Sequence, residues 1–128
     1  MTNTELVILR ELNAAPNEFV SGAQLATKLS ISRVAIWQHM EKLRREGFEF
    51  EAVRARGYRI SKHPTALHAI YIEAILEAKQ RTFPLTVLDE VDSTNDEAAR
   101  QLADGRQTPF VILARKQTKG RGRFGRVW

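Results

Sequence analysis

Two serines constrain the fold of the first half more than any other feature. In "VSGAQLATKLSISRVAIWQHMEKLRREG", Ser21 and Ser32 each stand just ahead of an amphipathic run, where a hydroxyl can accept an otherwise unpaired N–H of the first helical turn. Gln24 follows Ser21 by three positions and completes a capping box, and Leu25 and Leu29 then share the buried side of a helix about two turns long. After "SIS", the second run places Ile36, Met40 and Leu43 on one stripe until Gly47 stops it. Upstream, "ELVILREL" sets Leu6, Leu9 and Leu12 at helical spacing, and Pro16-Asn17 ends that segment with turn chemistry. Two short helices across a tight turn, the second longer and basic, match a helix-turn-helix.

Rotation by 100° per residue puts Val34, Gln38, Glu41, Lys42 and Arg45 opposite the apolar stripe, with Trp37 at the flank. Such a face serves either solvation or a nucleic acid, and Trp37 suits either a core edge or a DNA contact. The next segment favours DNA. In "FEFEAVRARGYRI", Phe48 and Phe50, then Tyr58 and Ile60, alternate with polar residues on both sides of "RARG", which predicts a hairpin with a basic tip. Gly57 suits the positive φ of such a turn, and Arg54, Arg56 and Arg59 are spaced to meet phosphates or a minor groove as a wing. The expected DNA-binding set is Arg33, Val34, Trp37, Gln38, Arg45, Arg54 and Arg56.

His63-Pro64 reads as a junction, which gives a winged helix-turn-helix domain over 1–63 and a second region over 64–128. In the latter, "TALHAIYIEAILEAKQ" predicts a helix with Leu67, Ile70 or Tyr71, and Ala74 or Ile75 on its apolar side. "PLTVLDEV" reads as a strand, "STNDEAARQLADG" as a capped helix ending at Gly105, and "PFVILARK" as a buried strand. The fold class expected is α+β, a winged helix followed by the start of a mixed α/β domain with too few strands to enclose a core.

Composition narrows the chemistry. The 128 residues contain no cysteine, so disulfides, thiolate metal sites and thiol nucleophiles are excluded, and a cytoplasmic setting is the default. No apolar run approaches a membrane span, and the charged start does not resemble a secretory signal. His39, His63 and His68 share no metal-ligand spacing, so no metal site is expected. The net charge is +5, and residues 115–128 contribute Arg115, Lys116, Lys119, Arg121, Arg123 and Arg126 with no acid. There Gly120, Gly122 and Gly125 follow G-x-G-x-x-G, but no helix opens after them as a dinucleotide fingerprint requires. A basic tail and an anion-binding loop are the two readings, and glycine spacing favours the loop because it lets backbone N–H groups approach phosphate closely. Phe124 either packs beneath that loop or faces solvent.

Taken together, "VDSTND", "KQTKGRGRFGRVW" and "SISRVAIWQHMEKLRREGFEFEAVRARGYRI" resemble the bifunctional biotin protein ligases that also act as biotin operon repressors. The resemblance spans nearly the whole chain, and its most specific part is "DSTN" with "GRGRFGRVW" about 25 residues later. It implies a biotin-[acetyl-CoA-carboxylase] ligase that activates biotin with ATP, accompanied by Mg2+, to biotinyl-5'-AMP and transfers biotin to a lysine of a biotin carboxyl carrier protein. The adenylate would also promote homodimerisation and operator DNA binding, with no membrane partner. By the same resemblance Ser93, Thr94 and Asn95 match a biotin-contacting turn, Gln117 a biotin-site residue, and Arg121, Gly122 and Arg123 a ligand-binding loop. Ser93, Thr94 and Asn95 also suit helix capping, and the two roles are compatible.

No catalytic residue is assigned within the chain, because the family's active-site lysine and small C-terminal β domain are expected beyond Trp128. Residues 117–128 are therefore expected to be exposed and loosely held, and the chain to make little adenylate alone. The alternative is a non-enzymatic winged-helix regulator whose second region senses a small ligand.

Overall fold

The computed structural model describes residues 3–81 and 83–127. Helix α1 spans Thr4–Ala14, α2 Gly22–Leu29, α3 Arg33–Arg45, α4 Ala69–Ala78 and α5 Thr94–Ala103, and strands β1 to β4 span Glu49–Val53, Gly57–Lys62, Leu85–Leu88 and Val111–Ala114. Side chains of Asn3, Ser21, Ser32 and Ser93 cap α1, α2, α3 and α5, each accepting from the backbone N–H three positions on. Each such cap contributes about 1 kcal/mol by satisfying an N–H that the helix cannot. The turn between α2 and α3 is sharp because Ser30 takes a left-handed conformation, φ 55°, and returns its N–H to the last turn of α2.

The chain divides into two compact units, Met1–Thr65 with Ile70–Arg81, and Ala66–Ala69 with Thr82–Trp128. The packing therefore departs from a simple division at residue 64, because most of α4 joins the first unit. Ala74 is fully buried in the same cluster as Ile8, Leu9, Leu12, Leu25, Ile36, Met40, Leu43 and Phe48. Tyr71 sets its ring edge-on to Phe48 at 5.2 Å, and Arg10 pairs with Glu77 at 3.1 Å. Leu67, expected on the helix's apolar face, precedes α4 and is exposed.

β1 and β2 form an antiparallel hairpin with Phe50 opposite Ile60 and Ala52 opposite Tyr58. Val20 adds a short third rung, exchanging backbone hydrogen bonds of 2.8 and 2.9 Å with Tyr58. Gly57, at φ +113°, makes this approach possible, since a Cβ there would lie 2.1 Å from the Val20 carbonyl oxygen. The hairpin is thereby fastened to the entry of α2, the arrangement of a winged helix.

In the second unit β3 and β4 pair in parallel, Leu85 with Val111 through Leu88 with Ala114, joined through α5 as a β-α-β crossover. The run "VILA", expected as a buried strand, is half-buried along its length, as is its partner "LTVL". Each strand of a two-stranded sheet is an edge strand, which leaves both open to water. Backbone bonds from Val91 to Lys116 and from Thr118 to Val91 carry the pairing past both strands. This extension brings the segment before α5 alongside residues 116–119.

Candidate functional site

In the first unit, α3 buries Ile36, Met40 and Leu43 at 1% exposure or less and turns Arg33, Val34, Trp37, Gln38 and Arg45 to solvent. Trp37, on the same side, is 53% exposed, so about half of its surface is open to a partner. Arg33 and Arg45 make no ion pair among the described residues, whereas Glu41 is paired with Arg44 one turn along. The face is thus an uncompensated cationic surface with an apolar patch.

Its inner flank holds a buried carboxylate that sequence periodicity did not reveal. Glu5, 6% exposed, accepts from Lys42 Nζ at 3.1 Å and lies 2.8 Å from His39 Nδ1, tying α1 to α3. Burial pushes its pKa up, but the bonds from His39, its own backbone and Lys42, with the charge of Lys42, outweigh that and hold it below the usual glutamate value.

The wing arginines separate into two groups. Arg56 and Arg59 both lie over the Phe19 ring, 4.5 and 4.6 Å from its centroid, and Arg59 also pairs with Glu51 across the hairpin. Arg54, at the tip beside Ala55 with φ 66°, makes no ion pair among the described residues. A cleft of about 290 Å³ runs between α3 and the wing, with Arg33, Arg54 and Arg56 among its lining residues.

In the second unit the expected site residues converge in part. The Gln117 side-chain carbonyl accepts from the Thr94 N–H at 2.8 Å and from its hydroxyl at 3.1 Å. Ser93 is 2% exposed and caps α5 through a 3.4 Å bond to the Asp96 N–H, so its hydroxyl performs the capping role. Buried Gly120 passes close beneath Gln117, where a Cβ would come within 3.0 Å of Nε2. Asn95 lies with Arg121, Gly122, Arg123, Arg126 and Val127 around an open concavity.

The glycine-arginine segment is closed on itself. Gly122 donates to the Arg126 carbonyl at 2.6 Å, Arg121 bridges to Val127, and a 3-10 turn spans Arg123–Gly125. Of residues 117–127, expected to be exposed and loosely held, Arg121 and residues 123–127 are exposed, whereas Gly120 is buried and Gln117 and Gly122 are half-buried. The segment also carries these internal bonds, and Arg121 is held by Asp96 through two bonds of 2.9 and 2.7 Å. That contact raises the Arg121 pKa. Phe124 faces solvent at 93% exposure with φ 59°, and Trp128, the end of the quoted motif, lies outside the described residues. The neighbouring Asp92 receives Arg100 at 3.0 and 2.7 Å and the Ser93 N–H at 2.7 Å; Arg100 foremost, then that N–H, brings its pKa down to about 2. Among the described residues, no cluster of three or more His, Asp or Glu side chains is placed to hold a metal, and no helix is long and apolar enough to cross a membrane.

Residues 4–59 match the model of an HTH domain. The bifunctional ligase/repressor BirA of Bacillus subtilis (strain 168) is 38% identical over 121 residues, 94% of this chain and 37% of that protein. Its namesake from Bacillus spizizenii is 37% identical over the same shares, and that of Escherichia coli (strain K12) is 34% identical over 89% of this chain and 34% of its own length. The chain therefore spans little more than a third of the length of these relatives. It has an α+β fold with an HTH domain at residues 4–59, and over nearly all its length it matches the N-terminal portion of the bifunctional ligase/repressors.

Proposed function

We propose that residues 1–63 bind operator DNA and that residues 64–128 contribute the biotin and adenylate contacts of a biotin protein ligase that represses biotin synthesis genes. Biotin and ATP are its substrates, Mg2+ arrives with the ATP phosphates, and a biotin carboxyl carrier protein is the acceptor. The whole protein would act in the cytoplasm and dimerise when it holds the adenylate.

The observation that carries the ligase half is the shared hydrogen-bonding centre of Thr94 and Gln117, 23 positions apart, next to an arginine-rich loop. A ureido ring needs amide and hydroxyl partners, which Gln117, Thr94 and Asn95 supply. A carboxylate attacked onto a phosphate gathers negative charge, for which Arg121 and Arg123 provide planar cationic donors. Gly122 lets that loop fold over the reactive mixed anhydride and keep water from it. In the DNA half, Arg45 and Arg54 supply phosphate contacts, while Val34, Trp37 and Gln38 meet base edges.

Calorimetric titration of biotin into the protein tests the ligase half, with Gln117→Ala as the comparison. Binding weakened tenfold or more by that substitution is expected, and equal affinity rules the assignment out. A full-length protein that shifts duplex DNA and senses a small ligand but forms no adenylate would instead be a non-enzymatic regulator.

A further inference from the structure

We infer that the exposed face of α3 reads the C5 methyl groups of thymine, through Val34 and Trp37. The inference rests on the DNA-binding reading above and specifies what that face selects. Val34 is 64% exposed and Trp37 53%, while the other large apolar side chains of α3 are buried at 1% or less. The greater part of each side chain is left uncovered by the fold, and that surface is available to a partner.

Charge identifies the partner. The patch is framed by Arg33, Gln38 and Arg45, and its own carboxylate, Glu41, is neutralised by Arg44. A second copy of this cationic face would be repelled, whereas a polyanion is drawn to it. On the major-groove edge of duplex DNA the apolar group a base presents is the thymine methyl, so an apolar patch within an amide and guanidinium frame has that as its counterpart. Gln38 follows Val34 by one helical turn, and its amide has the donor and acceptor pair that adenine N6 and N7 require. Val34 and Trp37 are three residues apart, about 4.5 Å along the helix axis. A base step is about 3.4 Å, so the two methyl groups belong to the same step or to neighbouring ones.

The experiment selects duplexes from a random pool on the protein, then replaces each thymine of the recovered sequence by deoxyuridine, which removes the methyl and nothing else. Affinity should fall about fourfold at one or two adjacent thymines, the loss expected from uncovering one methyl-sized apolar group. The same replacement should have no effect on Val34→Ala or Trp37→Ala, whichever side chain covers that methyl. These are exposed positions whose substitution leaves the core intact. Enrichment of a sequence that tolerates deoxyuridine everywhere, or a loss that persists unchanged in both variants, overturns the inference while leaving DNA binding standing. No enrichment of any sequence overturns the DNA-binding reading and the inference together.

Discussion

Gln117 uses one side-chain oxygen to accept both the backbone N–H and the hydroxyl of Thr94. The orientation of the amide is thus fixed from its oxygen side, and Gly120 passes so near the other end that a Cβ there would come within 3.0 Å of Nε2. Thr94→Val retains the backbone bond and removes the hydroxyl bond, at an expected cost of about 1 kcal/mol. Gly120→Ala moves the Gln117 amide by a few tenths of an ångström at its Nε2 end. Both variants should weaken biotin binding measured by titration, and unchanged affinity in both would dissociate this centre from the ligand.

Gly57→Ala should be the more damaging glycine substitution. A Cβ 2.1 Å from the Val20 carbonyl oxygen cannot be relieved by a rotamer, because the obstacle is backbone and the φ is +113°. A loss of about 3 kcal/mol or more is expected in urea unfolding, with DNA binding lost in parallel as the wing detaches. Wild-type stability would show that the Val20–Tyr58 rung is dispensable.

The wing arginines should differ in kind. Arg54→Ala removes a free cation, and the slope of log affinity against log salt should become shallower by about 0.9. Phe19→Ala removes the platform for Arg56 and Arg59, each contact being worth about 0.5–1 kcal/mol at an exposed site. It should lower affinity with a smaller change of slope, because no charge is lost. Band shifts across a potassium chloride series distinguish the two, and identical behaviour would remove the distinction.

Acid should release α5 from Asp92 late. Its folded pKa of about 2 lies below the ordinary aspartate value, so the charged form favours the folded state. That contribution is complete above about pH 4 and is lost as pH falls through about 2. A carbon-detected NMR titration of the Asp92 carboxyl should give a midpoint near 2, and Arg100→Gln should return it toward the usual range. A midpoint near 4 in the unmodified protein would mean that the Arg100 contact is not populated.

What could be read from the sequence was what is written locally. Ser21 and Ser32 announce their helices within three residues, Ile36, Met40 and Leu43 repeat at the helical period, and Phe50 and Ile60 flank a basic turn. What stayed hidden depends on segments far apart along the chain. Phe19 is an unremarkable loop aromatic until Arg56 and Arg59 are brought over it. Glu5 looks like a first-turn surface acid until α3 lays His39 and Lys42 against it. The helical period of α4 was legible, but its membership of the first unit follows from Tyr71 meeting Phe48 and Ala74 filling the core, which no local signal encodes. Gln117 and Thr94 came forward by resemblance; their mutual hydrogen bonds required the parallel pairing that carries Val91 beside Gln117.

The grip of Asp96 on Arg121 turns any encounter with this one guanidinium into a substitution. An anion that takes this guanidinium takes it from a carboxylate already there, so one ion pair is exchanged for another and the count of paired charges does not rise. The net gain is the difference between two similar terms. Discrimination then falls to geometry: a phosphate oxygen triangle offers the planar fork a choice of edges that a single carboxylate lacks. Once displaced, Asp96 is left beside the entry of α5, where the positive end of the helix dipole accommodates it. Arg121 is thus kept in one orientation before any ligand arrives, and exchange replaces the ordering of a free side chain.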